Sequence, residues 1–276
     1  MKKKHEIRLW AVLFWLIVWQ LVSMRLDSEI LLVSPFRVLC RLGQLMLTAA
    51  FWKVVLFTLS RIAAGFFLAV LAGVALAASA SRSGRIRELL APVMLAVKSV
   101  PVASFIILAL IWFSSKNLSV LISFLIVLPI IYTNVQSGIR AVDRQLLEMA
   151  RVFRVPKYRV VRYIYLPQIM PFFYSACSVA LGMSWKAGVA AEVIGIPHGS
   201  VGERLQQAKV YLDTPDLFAW TLVIVAASLF FEKIVLFLVR RIAEKCSVMP
   251  MKKRKKKVHV KVDRTFDCIT MLEKKF

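Results

Sequence analysis

The chain has 276 residues, 59% of them hydrophobic, and carries 38 lysines and arginines against 15 aspartates and glutamates. Its mean hydropathy of +0.72 is too high for a soluble domain of this size, in which apolar residues approach half. An ordinary soluble enzyme is excluded, and the formal charge of +23 reads as cations flanking membrane spans rather than a nucleic-acid footprint. Cys40, Cys177, Cys246 and Cys268 form no C-x-x-C pair, so neither a zinc site nor a disulfide framework is indicated.

Taken in order, the apolar runs predict about six transmembrane helices. Lys2, Lys3, Lys4 and Arg8 precede a run from Leu9 to Val22 that holds Trp10, Trp15 and Trp19. A cleaved signal peptide has a similar pattern, but Val22-Ser23-Met24-Arg25 is a poor small-residue cleavage site, which favours a retained span. Asp27 to Lys53 is mixed, with a turn at Ser34-Pro35 and an interfacial amphipathic helix around Phe36 to Phe51. The second span is expected at Thr58 to Ala80, with Gly65 and Gly73 allowing close helix approach in lipid. Arg61, near its start, is expected to snorkel to the interface. Leu89 to Phe113 is the third run, interrupted by Pro92, Lys98 and Pro101. Leu118 to Ile139 is the fourth, kinked at Pro129, with a polar patch of Tyr132, Thr133, Asn134 and Gln136. Pro167 to Val193 is the fifth, Ile194 to Asp216 a glycine-rich loop, and Leu217 to Val239 the sixth. A cationic tail follows from Arg240, suited to fixing topology or touching anionic lipid.

Between the fourth and fifth runs lies a basic, amphipathic island, Asp143 to Pro167. Asp143 suits an N-cap. Leu146, Leu147, Ala150 and Phe153 then fall on one helix face, and Pro156 ends that helix and starts another. Lys157 to Tyr165 reads as the second short helix, closed by Leu166-Pro167. The cations concentrate on the side that holds the N-terminus, the Arg82 turn, the island and the tail, which places that side in the cytoplasm. No phosphate-binding loop, no H-E-x-x-H and no G-x-S-x-G occurs, so this polypeptide is not expected to catalyse a reaction, to bind nucleotide by that route, or to need a metal or cofactor. Lys186 and Glu192 are ionisable groups inside the fifth run, where such groups are costly and functional by default.

The island resembles the cytoplasmic motif of permease subunits of binding-protein-dependent ABC importers. In that motif Glu-Ala-Ala and a glycine precede a hydrophobic-x-Leu-Pro ending. Glu148-Met149-Ala150 and Ile164-Tyr165-Leu166-Pro167 carry the match. Thr58 to Phe66, Ser99 to Ala103, and Ser184-Trp185-Lys186 through Ala191-Glu192 are similar to the sulfonate/nitrate/taurine branch. Arg154 stands where the family has glycine. The resemblance implies an all-α, MetI-like fold with a helix-turn-helix coupling loop at 140–167. It implies a homodimer, a separate ATPase subunit, an extracytoplasmic substrate-binding protein, and a bacterial plasma membrane location with both termini cytoplasmic.

On that reading the chain divides into an N-terminal span and outer segment (1–57), a permease core (58–241) and a basic tail (242–276). Leu147, Glu148, Ala150, Phe153, Arg154, Leu166 and Pro167 are the candidate ATPase-coupling residues. Trp185, Lys186, Glu192 and Asn134 are the candidate pathway residues. The alternative for Glu148 is a surface pair with Arg144 or Arg151. A self-contained secondary transporter or channel and a non-transporting scaffold stay open as other classes, and the solute is a small anion or a vitamin-precursor-like compound.

Overall fold

A computed structural model describes residues 9–26 and 32–246. The lysine cluster at 2–4, the segment 27–31 and the tail beyond 246 lie outside the described residues. Within them the secondary structure is helical: α1 Leu9–Leu26, α2 Pro35–Met46, α3 Ala49–Arg82, α4 Gly84–Ser99, α5 Val102–Trp112, α6 Ser115–Arg140, α7 Arg144–Val152, α8 Lys157–Val160, a π turn Val161–Tyr165, α9 Leu166–Gly195, α10 Val201–Val210 and α11 Thr214–Cys246. Four helices are long and apolar enough to cross a membrane, or five if the bent pair α4–α5 is one span. The apolar stretch of α1 is shorter than a span, so the described residues hold four or five spans where the sequence predicts about six.

Three spanning helices form the centre. α6 packs against both α3 and α9, and α11 covers α9. Lipid supplies no hydrophobic force between helices, so association depends on close packing of small residues. Gly65 meets α6 so closely that a Cβ there would sit 2.4 Å from the Val120 carbonyl oxygen. A Cβ at Gly188 on α9 would lie 2.7 Å from Ile62 Cγ1 and 2.8 Å from Ser123 Oγ. Phe66, Ile131, Leu181 and Trp185 fill the core these contacts create, and Trp185 meets Phe231 of α11 edge-on at 6.2 Å.

Several boundaries differ from the sequence reading. Ser34-Pro35 begins a helix rather than a turn: the Ser34 hydroxyl accepts from the Arg37 amide and Pro35 occupies the first helical position, where a missing N–H costs nothing. α2 ends at Met46, and α3 starts at Ala49 behind the Thr48 cap, running unbroken through 57 and 58. The third apolar run is two helices bent by 107° at Ser99-Val100-Pro101. Pro92 does not interrupt α4, whereas Pro101 precedes α5 with an extended backbone. Arg61 does not simply reach for water: its guanidinium donates to Asn117 Oδ1 at 3.3 Å and lies 4.3 Å from the Phe57 ring centre.

The largest difference is at Leu166-Pro167, which does not close the island. Lys157–Gly195 is one apolar rod of 39 residues, about 58 Å long at 1.5 Å per residue. Pro167 has no N–H for an ordinary turn, and the preceding turn widens: Leu166 donates to the Val161 carbonyl, five residues back, as in a π bulge. At the other end the expected loop folds as α10, tucked against α9 and α11. Arg41 of α2 donates from Nε to Asp216 at the start of α11. That hydrogen bond raises the Arg41 pKa against the opposing effect of partial burial.

Placing valine at Gly65 drives a side chain into the Val120 carbonyl. Overpacking of this kind costs about 1–3 kcal/mol, so Gly65→Val is expected to cut the monodisperse yield in detergent several-fold. Gly43→Ala, with nothing within 4 Å, is expected to leave it unchanged. Size-exclusion profiles of both variants provide the check.

Candidate functional site

The island is a capped helix followed by a tight reversal. Asp143 Oδ1 accepts from the Gln145 amide at 2.9 Å, and the Asp143 amide donates to Gln168 Oε1 at 3.0 Å, tying the island to the base of α9. α7 then ends in a double hydrogen bond. Val155 donates to the Ala150 carbonyl at 2.9 Å and Arg154 to the Arg151 carbonyl at 3.1 Å. This pattern needs a left-handed residue at its apex, and Arg154 supplies it with φ of 50°. The arginine therefore keeps the turn that glycine would make, at a cost of about 1–2 kcal/mol.

The reversal presents an apolar patch to solvent. Val152 and Phe153 are 78% and 74% exposed, with Met149 and Tyr158 beside them in sequence and also exposed. Arg144, Arg151, Arg154, Lys157 and Arg159 are exposed around them. Of the predicted coupling residues, Phe153, Glu148 and Arg154 are exposed, while Leu147, Leu166 and Pro167 are half-buried. Ala150 is buried, so it packs within the chain and does not offer itself to a partner. Met149 and Val152 are the exposed apolar residues of α7 instead; their exposure follows from which face of α7 the core occupies, which periodicity alone did not show. Among the described residues Glu148 pairs with neither Arg144 nor Arg151.

The four predicted pathway residues are not brought together within one chain. Trp185 is buried in the core. Lys186 is exposed on another face of α9. Asn134 is half-buried and donates to the carbonyl of Ile130 in its own helix at 2.8 Å. Its polar neighbours do the same or similar: Thr133 donates to the Pro129 carbonyl and Gln136 to the Tyr132 hydroxyl. Glu192 is fully buried in the last turn of α9, where its Oε2 accepts from Thr58 Oγ1 at 2.7 Å and from the Gly202 amide at 3.4 Å. Sequence reasoning singled out Glu192 but did not bring Thr58 or Gly202 to it, since they lie on other helices.

A bundle of apolar spans, with a broken helix and a capped helical island at one end, defines a polytopic all-α membrane transport component. The chain matches the family described as the binding-protein-dependent transport system inner membrane component over residues 65–247. It belongs to that family and is a permease of the ABC importer type. It is 26% identical over 220 residues to the taurine transport system permease protein TauC of Escherichia coli (strain K12), covering 78% of this chain and 80% of that protein. It is 26% identical over 228 residues to the putative aliphatic sulfonates transport permease protein SsuC of Bacillus subtilis (strain 168), covering 82% of each. The riboflavin transport system permease protein RibX of Chloroflexus aurantiacus is 27% identical over 205 residues, 74% of this chain and 76% of that one. In fold it is similar to a solved chain described as the crystal structure of an amino acid ABC transporter with histidines, with a TM-score of 0.54, 18% identity, and coverage of 74% of this chain and 97% of that chain.

Arg154→Gly keeps the left-handed apex without its steric cost, offset in part by glycine's greater freedom when unfolded. A rise in the thermal midpoint of about 1–3 °C is expected from a gain of under ~1 kcal/mol. Arg154→Val should melt lower than the wild type. A fall on Arg154→Gly would mean that the guanidinium contributes contacts that outweigh the strain.

Proposed function

We propose that the chain is the membrane-spanning half of a two-fold importer that moves a small anion and is driven by ATP hydrolysis on a separate subunit. The observation that carries this reading is the exposed Val152-Phe153 patch, ringed by cations, at the base of the Lys157–Gly195 rod. An apolar patch with a charged rim is the anatomy of a protein docking surface. It sits in the most cationic part of the described chain, and that charge supports a cytoplasmic position for the island, for both termini and for the tail. An ATPase that grips the patch moves one end of a rigid helix, and the rod carries the displacement across the membrane. Glu148 is the acidic group available to a basic residue on that ATPase. The sequence lacks a nucleotide-binding loop, which supports a separate engine.

A second permease copy would complete the pathway and cover part of the apolar surface of the single chain. Membrane lipid would cover the rest, including exposed Phe67, Leu71, Phe230 and Phe237. An extracytoplasmic binding protein would deliver the solute at the α10 end. Of the named relatives, two bear the names of taurine and aliphatic sulfonates and one that of riboflavin, and the bicarbonate transport permease CmpB of Synechococcus elongatus is 24% identical over 191 residues. Lys186 supports the anion class: it is an exposed cation within a spanning helix, where a charge facing lipid is costly and one facing a wet pathway is not.

Two measurements test this reading. Phe153→Asp and Glu148→Ala are each expected to lower co-purification of the ATPase subunit about tenfold, or ~1.4 kcal/mol, while the permease still inserts; wild-type recovery in both variants would refute the docking surface. Lys186→Gln is expected to lower uptake of taurine, ethanesulfonate and bicarbonate alike without changing recovery of the complex. Unchanged uptake of all three would remove Lys186 from the pathway.

A further inference from the structure

The first amides of α10 are satisfied from outside their own helix. A helix N-terminus leaves its leading N–H groups unpaired, and a cap residue normally serves one of them. Ser200 does so here, accepting from the Glu203 amide at 3.0 Å. The Val201 amide instead donates to Thr58 Oγ1 of α3 at 3.0 Å, and the Gly202 amide donates to Glu192 Oε2 of α9. The Thr58 hydroxyl donates in turn to the same carboxylate oxygen. One buried carboxylate thus joins three helices. Gly202 permits it, because a Cβ there would lie 2.4 Å from the Glu192 backbone carbon.

Glu192 is 0% exposed, and the buried Ser119 hydroxyl of α6 lies within hydrogen-bonding influence of its carboxylate, which adds a fourth helix to the junction. Arg61 acts on the carboxylate through space but does not contact it, being engaged with Asn117 and the Phe57 ring. Four residues on, Ile196 adopts a φ of 46°, a left-handed backbone that a β-branched side chain disfavours. Left-handed non-glycine residues persist where packing imposes them, and they cluster at switch regions.

We infer that Glu192 is a positioning residue for transport: with Thr58 it latches α10 across the ends of α3 and α9, and the latch parts when the bundle changes state. Glu192 lies in the last turn of the rod whose other end is the island, so motion at the island reaches this carboxylate through continuous helix. The inference rests on the proposed ATPase coupling only for that driving motion; the latch itself is a property of the isolated chain.

The test has two arms. On the purified permease, Thr58→Val removes the relay between Glu192 and the Val201 amide. Amide exchange at residues 201–202 is expected to speed up at least tenfold while α9 and α11 keep their protection. Thr58→Ser is expected to exchange like the wild type. Equal exchange in Thr58→Val and the wild type would overturn the latch. In vesicles holding permease and ATPase, with no solute or binding protein, Thr58→Val and Glu192→Gln are expected to raise ATP hydrolysis per assembled complex at least threefold, because the latched end no longer resists the change of state. Hydrolysis within a factor of two of the wild type would overturn the role in transport. Failure of the wild-type chain to assemble with an ATPase would instead refute the coupling reading and leave the exchange arm to decide.

Discussion

Backbone-to-backbone approach of α3, α6 and α9 is the constraint on which the rest depends. A carbonyl of α6 occupies the space where a side chain at Gly65 would be, and Ile62 and Ser123 occupy the space above Gly188. In lipid, apolar side chains gain little by meeting each other rather than acyl chains, so this contact replaces the hydrophobic force. With the three helices locked, the polar groups they carry are fixed in register. Thr58, Ser119 and Glu192 come from α3, α6 and α9, and they meet only because those helices touch.

In the proposed coupling, the same packing lets α9 act as a lever. Its extension through the π turn joins the island to the membrane core without a joint, although Pro167 and Pro171 lie in the helix. One end carries exposed apolar side chains in a cationic setting, which favours a partner over water or lipid. The other carries a buried carboxylate that holds α10. A continuous helix packed firmly along its membrane part is suited to passing a displacement, because packed interfaces change between discrete arrangements rather than bending smoothly.

Much of this was legible in the sequence, and the misses have physical causes. The apolar runs at 58–80, 118–139, 167–193 and 217–239 gave spans because each, as a helix, exceeds the thickness of the hydrocarbon layer. Asp143 gave the start of α7 and Pro156 the start of α8 because capping and proline sterics are local. Pro167 misled because its effect depends on whether the preceding turn can widen, as it does over Val161–Tyr165. Arg154 adopts a glycine-like backbone because the hydrogen bonds from Val155 and Arg154 to the end of α7 hold it there. The α10 helix did have a signal: Ser200 and Glu203 stand at capping-box spacing inside what read as a loop. The Thr58–Glu192 contact spans 134 positions and has no local signature at all.

The most direct measurement is the accessibility of the two ends of the lever. In a cysteine-free background, Val152→Cys and Tyr211→Cys each place one thiol at an exposed position, at the island and at the end of α10 respectively. A membrane-impermeant maleimide is applied to intact cells and, separately, to opened ones. Tyr211→Cys is expected to label in both, and Val152→Cys only after opening, with its labelling suppressed when the ATPase subunit is present. Labelling of Val152→Cys in intact cells would place the island on the wrong side of the membrane to meet an ATPase, and the proposed coupling would fail.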